Sequence, residues 1–135
     1  MKTVGKILLV IVGLFAALMI AQLVASESGE VVVVSTNNAD GGVETTRLWV
    51  VDHEGSQWLR SGSPMAGWYQ RMTASPEIQI ERAGITYAAT VQPDVAKRDV
   101  INSLMREKYG WADQFIELMF GRDDAIAIEV VVADS

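Results

Sequence analysis

The chain contains no cysteine, a single histidine and three prolines. Without cysteine it can form no disulfide, no thiolate metal site and no thiol nucleophile. The one histidine, His53, falls in a predicted turn among acidic residues, and metal binding would need several convergent ligands that are not spaced for it. Hydrolysis by a serine nucleophile is also unsupported, since Ser61 and Ser63 have no histidine nearby in the sequence and no Gly-x-Ser-x-Gly elbow. The chemistry open to the side chains alone is therefore narrow.

Positive charge is scarce as well. The chain has 17 acidic residues against 11 basic ones. Lys2 and Lys6 precede a long apolar run, and beyond them 17 acidic residues face nine basic ones, a formal charge of −8. Such a charge repels phosphate backbones, and no basic stripe with interleaved aromatic residues is present. We therefore exclude nucleic acid as a partner.

The apolar run covers residues 7–25 and carries no charge. At a rise of about 1.5 Å per residue, a helix of this length matches the hydrocarbon core of a bilayer. The lysines before it predict a cytoplasmic N-terminus and a single pass. A signal peptide cleaved before Ser26 and a helix buried in protein are the alternatives. The run exceeds the apolar centre of about 7–15 residues found in signal peptides, so an uncleaved anchor is favoured.

Residues 1–29 are thus predicted to be an anchor and link, and residues 30–135 a single domain. Within the domain the central stretch, residues 44–81, is the most informative. A strand rich in β-branched and aromatic residues is followed by a turn at residues 52–55 and a returning strand. Ser63 and Pro64 then predict the N-cap and first residue of a short helix. Its apolar stripe consists of Met65, Trp68, Tyr69 and Met72.

The remaining pattern completes a set of six strands. One helix follows the third strand, and a pair of helices, over residues 94–108 and 111–120, precedes the sixth strand. Most strands follow one another through tight turns, which favours antiparallel pairing. The pattern therefore predicts an α+β barrel in preference to a doubly wound parallel sheet.

The order of these elements resembles the deazaflavin-dependent nitroreductase and quinone reductase family. The resemblance rests on a hairpin with a basic residue at its start, Arg47, a Ser-Gly turn at Ser61, a Pro-x-x-x-Trp-Tyr helix beginning at Pro64, and a strand ending in Glu81. It covers about residues 31–133. It implies the split β-barrel fold of the FMN-binding superfamily, with six mostly antiparallel strands, flanking helices and, in this chain, one N-terminal transmembrane helix.

The resemblance also implies a function. The protein would be a flavin- or deazaflavin-dependent oxidoreductase that uses FMN or coenzyme F420, with no metal, to reduce a quinone- or nitro-type acceptor. A planar cofactor needs an apolar wall, strand-edge donors and a cation for phosphate. The implied cofactor-binding residues are Arg47, Trp49, Arg60, Ser61, Gly62, Ser63 and Trp68. Tyr109 is the implied catalytic proton donor, and the resemblance admits a homodimer.

Two departures from the family pattern keep an alternative open. The first hairpin loop reads Asn-Asn-Ala-Asp-Gly-Gly over residues 37–42, where the family commonly carries cations that approach the cofactor phosphate. The late helical region, residues 109–115, keeps its first tyrosine, but the later phenols are replaced by Trp111 and Phe115. The alternative is a non-catalytic, membrane-tethered split-barrel module for binding or interaction.

Overall fold

A computed structural model describes residues 2–26, 29–121 and 123–132 of the chain. The strands in this part are β1 (Val31–Asn37), β2 (Val43–His53), β3 (Ser56–Ser61), β4 (Glu77–Arg82), β5 (Ile85–Pro93) and β6 (Ile126–Val132). The α-helices are α1 (Lys2–Ser26), α2 (Gly67–Ala74), α3 (Arg98–Tyr109) and α4 (Trp111–Phe120), and a 3-10 turn at Val95–Lys97 leads into α3.

The six strands close into one barrel in the order β1-β2-β3-β6-β5-β4, with β4 returning to β1. Each of the six pairings is antiparallel. This confirms the predicted six-stranded barrel with flanking helices. The tight turns account for the antiparallel pairs between consecutive strands, whereas β1–β4 and β3–β6 join distant parts of the chain and only tertiary folding brings them together.

Alternation along each strand directs one set of side chains into the barrel. Val32 and Val34 of β1 are fully buried there, while Val31 and Val33, which alternate with them, are only half-buried. The other interior residues come from every strand and include Val50, Leu59, Ile78, Ile80, Ala89, Val91, Ile126, Ile128 and Val130. Helix α2 closes one end of the barrel by adding Trp68 and Met72 to this core.

The start of α2 differs from the prediction. The helix begins at Gly67 after an extended Ala66, and Ser63 caps a preceding turn, where its Oγ accepts a hydrogen bond from Met65 N at 3.0 Å. Because Ala66 interrupts the helical path, Met65 stays exposed and leaves the apolar stripe. His53, predicted to lie in a turn, is instead the last residue of β2.

Helix α3 packs on the outside of the barrel and forms a second core. Ile101, Met105 and Tyr109 on its inner face contact Val51, Trp58 and Ala127 on the outward faces of β2, β3 and β6. Burial of an isoleucine or methionine side chain stabilises a fold by roughly 1.5–3 kcal/mol. The amphipathic pattern of α3 thus covers one side of the barrel wall.

Helix α1 is long and apolar enough to cross a bilayer. Its residues Lys2–Ala21 have a mean hydropathy of 2.6, and none of that segment is buried within the protein. A signal sequence near an N-terminus can meet the same criteria of length and composition, so α1 is a candidate membrane span. Residues 27 and 28 of the predicted link and residues 133–135 of the predicted domain lie outside the described residues.

Candidate functional site

The barrel wall has two different outer faces. On the outward side of β2, β3 and β6, α3 covers what we call the covered face. On the other side, the outward residues of β1, β4 and β5 form what we call the open face, together with Arg47 of β2, which pairs with Val33 of β1. A shallow cavity of about 340 Å³ lies on the open face and is lined by Ser35, Asn37, Val43, Glu77, Ile78, Gln79 and Ala88. Most of these side chains are small or polar, so a flat group can approach the sheet.

Arg47 points outward from β2 at the border of the two faces. Its partner in the β1–β2 register is Val33, whose side chain shares this outer surface. Arg47 is exposed, whereas Trp49, the next outward residue of β2, is half-buried against α3. The alternation of the strand therefore brings together two of the predicted cofactor residues, one facing water and one facing the helix.

Trp49 stacks on Tyr109, with ring centroids 4.2 Å apart and an interplanar angle of 7°. The Tyr109 hydroxyl accepts a hydrogen bond from Val50 N at 3.0 Å and donates one to the Glu30 carbonyl at 2.6 Å. The β1–β2 register ends at Val31 and Trp49, so Glu30 and Val50 would form the next pair. Tyr109 therefore bridges the two strands where they separate.

Two neighbours fix Tyr109 in this position. Gly29 has a φ of +74°, and a Cβ added there would lie 3.0 Å from two atoms of the Tyr109 ring, so a side chain at residue 29 would displace the ring. Lys108 Nζ lies 5.4 Å from the ring centroid and donates to the Val50 carbonyl at 2.7 Å. Burial raises the pKa of Tyr109, which keeps the phenol protonated. The contacts favour a positioning role, while the predicted catalytic role of Tyr109 stays a prediction.

Arg60 lies beneath the junction of α3 and α4. Its Nη2 donates to Asp113 Oδ1 at 2.6 Å, and the two side chains are 7% and 1% exposed. Its Nη1 also donates to Asn102 Oδ1 at 3.2 Å. A buried carboxylate is tolerated only with a hydrogen-bonded partner of opposite charge, and Arg60 supplies that partner. The structure thus gives Arg60 a structural contact, and its cofactor role stays a prediction.

Ser61, Gly62 and Ser63 form a turn at the end of the barrel that α2 closes. Ser61 is buried, and its Oγ donates to the Ser63 carbonyl at 2.7 Å. Gly62 is exposed, with no neighbouring atom within 4 Å of an added Cβ among the described residues. A cation that the sequence analysis did not single out, Arg71, lies at this end and donates from Nε to Thr36 Oγ1 at 2.9 Å.

Trp68 belongs to the barrel core. It is buried, and its ring meets Tyr69 edge to face with centroids 6.4 Å apart. The predicted cofactor residues are therefore distributed over three places: the outer surface of β2, the α3–α4 junction and the end of the barrel beneath α2. Within the described residues, no group of three or more His, Asp or Glu side chains is arranged to hold a metal.

A charged network, missed from the sequence, fills the opposite end of the barrel. Arg82 at the end of β4 makes paired hydrogen bonds of 2.8–3.1 Å to Glu30 and to Asp52. Its Nη1 also donates to Gln57 Oε1 at 3.1 Å, and Tyr87 donates to the same oxygen at 2.9 Å. The alternation of Ile78, Ile80 and Arg82 placed Arg82 on the inward face and could have identified it.

Hydrogen bonds from Arg82 set the protonation state of this network. They lower the pKa of Glu30, with a further contribution from Lys108, whose Nζ lies 2.7 Å from Glu30 Oε1. They also lower the pKa of Asp52. Both carboxyls are therefore anionic at neutral pH and neutralise the guanidinium. The network closes the barrel end next to the point where the link from α1 arrives.

Comparison with known proteins relates this geometry to other chains. No protein-family model matches the sequence, and no curated protein matches it either. Solved structures do match. HutZ, the heme storage protein from Vibrio cholerae, has a TM-score of 0.62 and 13% identity over 82% of this chain and 87% of its own. The chain has the split β-barrel fold.

Two further structures share this fold with the chain. An F420-H2-dependent reductase has a TM-score of 0.58 and 19% identity, and the match covers 73% of this chain and 92% of that one. A putative pyridoxamine 5'-phosphate oxidase from Listeria innocua has a TM-score of 0.59 and 11% identity, over 83% of this chain and 90% of that one. At these identities the matches show a common fold, and the function has to be argued from the residues of the site itself.

Proposed function

We propose that the protein is a membrane-anchored oxidoreductase that binds FMN or coenzyme F420 and reduces a quinone- or nitro-type acceptor. The observation that supports this most directly is the exposed Arg47 beside a flat, open sheet surface. The fold is shared with an F420-H2-dependent reductase and a putative pyridoxamine 5'-phosphate oxidase. An anchored domain would also meet lipid-soluble acceptors such as quinones at the bilayer.

The residues of the open face fit the single phosphate of FMN better than a long anionic tail. Arg47 would make charge-assisted hydrogen bonds to phosphate, each contributing on the order of 1.5–3 kcal/mol. The first hairpin loop carries Asp40, whose Oδ1 accepts a hydrogen bond from Gly42 N at 2.9 Å, and Glu44 in the following strand β2 accepts one from Asn38. Glu77 on the open face adds a further negative charge that would repel an extended anionic tail.

The protein's part in the reaction would be binding and orientation. A bound flavin or deazaflavin supplies the hydride chemistry itself. Arg47 would hold the phosphate at the border of the open face. The Trp49–Tyr109 stack and the Tyr109 bridge to Val50 would keep the backbone of β2 rigid behind it. A proton donor for the acceptor would have to come from Tyr109 or from solvent, and Tyr69 and Tyr87 are not part of this surface.

A non-catalytic module is the second candidate. Three of the predicted cofactor-binding residues favour it, because Arg60, Ser61 and Trp68 make contacts within the folded protein. It is also favoured by the absence of cations from residues 37–42. In this case the open face would bind another macromolecule or a second copy, and no redox cofactor would saturate the protein.

Cofactor titration separates the two functions. Full-length protein in detergent is titrated with FMN and with F420, and fluorescence is followed. Arg47→Ala is expected to weaken binding by about 10- to 150-fold, since about 1.4 kcal/mol corresponds to tenfold. Arg47→Lys should recover only part of the loss, because an ammonium lacks the planar bidentate fork. Arg106→Ala, an exposed arginine of α3 away from this surface, is the matched control.

No saturable binding up to millimolar cofactor would reject the oxidoreductase and support the module. Equal affinity of parent and Arg47→Ala would remove Arg47 from the site. Anchoring is tested separately by the intact mass of protein extracted from membranes, where a chain beginning at Ser26 would reject the anchor. The proposed cytoplasmic N-terminus is tested with Val43→Cys, since a membrane-impermeant maleimide added outside intact cells should then label the domain.

A further inference from the structure

Helix α4 has one face with large apolar side chains exposed, among the residues whose burial the structure describes. Ala112 and Asp113 are buried against the domain. Trp111, Phe115 and Leu118 follow the i, i+4, i+7 spacing of a different face, on which Phe115 is half-buried. Trp111 is 58% exposed and Leu118 is 85% exposed, and Met119 beside them is also exposed. An amphipathic helix that packs only on its own domain would turn residues of this type inward.

The uncovered face carries no charged side chain. The two acidic residues of α4 both have partners: Asp113 is buried with Arg60, and Glu117 accepts a hydrogen bond from Arg106 at 2.7 Å in an exposed pair. The exposed positions are apolar apart from Gln114. Interaction of this face with another surface would therefore depend on apolar contact and only weakly on charge.

The neighbour of α4 indicates which surface that is. α4 packs against α1, the candidate membrane span. Residues 2–20 of α1 are exposed, and Ala21, which follows them, is half-buried. If α1 spans a bilayer, as proposed above, α4 lies beside the part of α1 that emerges from it. Trp111 is the first residue of α4, and tryptophan is enriched at the boundary between lipid and water.

We propose that the Trp111–Phe115–Leu118 face of α4 inserts into the lipid surface next to the anchor, so that the domain is held on the bilayer at two places. This inference rests on the proposed anchoring by α1. The formal charge of −8 beyond the anchor disfavours anionic headgroups, so zwitterionic lipid should be sufficient. Insertion would give the domain a fixed orientation on the membrane instead of free movement on its link.

The absence of cysteine makes the test direct. Leu118→Cys provides a single labelling site in the full chain, and its exposure means that the substitution leaves the packing unchanged. A spin label at this site is examined in phosphatidylcholine vesicles for collisions with oxygen, which concentrates in lipid, and with a water-soluble nickel chelate. Val43→Cys is the matched control, because Val43 is also apolar, is 62% exposed and lies at the far end of β1–β2 from Glu30.

We expect oxygen collisions to exceed nickel collisions at residue 118 and the reverse at residue 43, with little change on adding salt. Nickel collisions exceeding oxygen collisions at both residues, in protein that still floats with the vesicles, would overturn this inference and leave the anchor intact. Rapid disulfide formation between two unlabelled chains of the Leu118→Cys variant would also overturn it, in favour of a second copy on this face. Protein that does not float with the vesicles would overturn the anchor as well.

Discussion

The covered and open faces of the same barrel wall use their polar residues differently. On the covered face, Arg60 is bonded to a buried carboxylate and Tyr109 bridges two strands. On the open face, Arg47 is exposed, and the neighbouring outward side chains of β1, β4 and β5 are small or polar. Burial therefore separates Arg60, which contributes to folding, from Arg47, for which a binding role is proposed.

The largest expected effect is at the buried ion pair of the covered face. Asp113→Ala should lower the free energy of unfolding by about 3–5 kcal/mol, because Arg60 would be left buried without its main anionic partner. Urea unfolding of the full chain in detergent measures this. Glu117 is on the same helix as Asp113 and forms an exposed pair with Arg106 of α3. Glu117→Ala breaks this pair and should lower the free energy of unfolding by less than about 1 kcal/mol. Similar losses for both variants would contradict the distinction between the buried and the exposed ion pair.

Tyr109→Phe should give the next largest effect. It removes the hydroxyl between Val50 N and the Glu30 carbonyl and leaves these groups without their partner, at a cost of about 1–3 kcal/mol. Thermal unfolding provides the measurement, and Tyr69→Phe, at a half-buried tyrosine of α2, is the control. If reductase activity were lost while stability stayed at the parental value, Tyr109 would be the catalytic donor that the sequence predicted.

A smaller effect on stability is expected when acid protonates the carboxyls that Arg82 binds at one end of the barrel. Arg82 lowers the pKa of Glu30 and of Asp52, so the stabilisation is fully present above their unfolded values of about 4.3 and 3.9. It is lost as pH falls through the lower folded-state values. Both carboxyls are partly exposed, and solvent screening keeps the effect small. Arg82→Gln should flatten the dependence of the free energy of unfolding on pH below about 5, and an unchanged slope there would contradict this assignment.

The smallest effect on stability is expected at Arg47 of the open face. Arg47→Ala should change the free energy of unfolding by less than about 0.5 kcal/mol, as is usual for an exposed residue, while cofactor affinity falls at least about tenfold. Unfolding and titration of the same preparation check both values. A large loss of stability in Arg47→Ala would show that the open face, too, uses its arginine for folding.

Sequence patterns predicted the barrel well because they report local preferences. The six strands follow from β-branched runs and turns, and α3 follows from its apolar stripe, which packs on Val51 and Trp58. The start of α2 was missed because Ser63 and Pro64 are residues that favour the start of a helix in general. In the structure Ala66 is extended and α2 begins at Gly67, which places Trp68 in the barrel core. Local signals do not include that constraint.

The predicted site residues show the same limit. Arg60 and Arg47 look equivalent in sequence, since both are basic residues on outward positions of neighbouring strands. They differ in burial: Arg60 is buried in an ion pair with Asp113, 53 residues further along, whereas Arg47 is exposed. Tyr109 lies 59 residues from Val50, and nothing in the sequence between them indicates their hydrogen bond. Contacts of such separation depend on how α3 and α4 dock on the barrel.

The sequence by itself determined the strands and helices, the antiparallel hairpins, the acidic domain and the long apolar N-terminal helix, because each depends on residues close to one another in the chain. Only the tertiary structure decided which arginine is buried and which is exposed, that Arg82 closes one end of the barrel, and that α4 leaves an apolar face beside α1. The physical reason is that burial and charge pairing are properties of surfaces brought together by folding, and the residues on those surfaces come from distant parts of the chain.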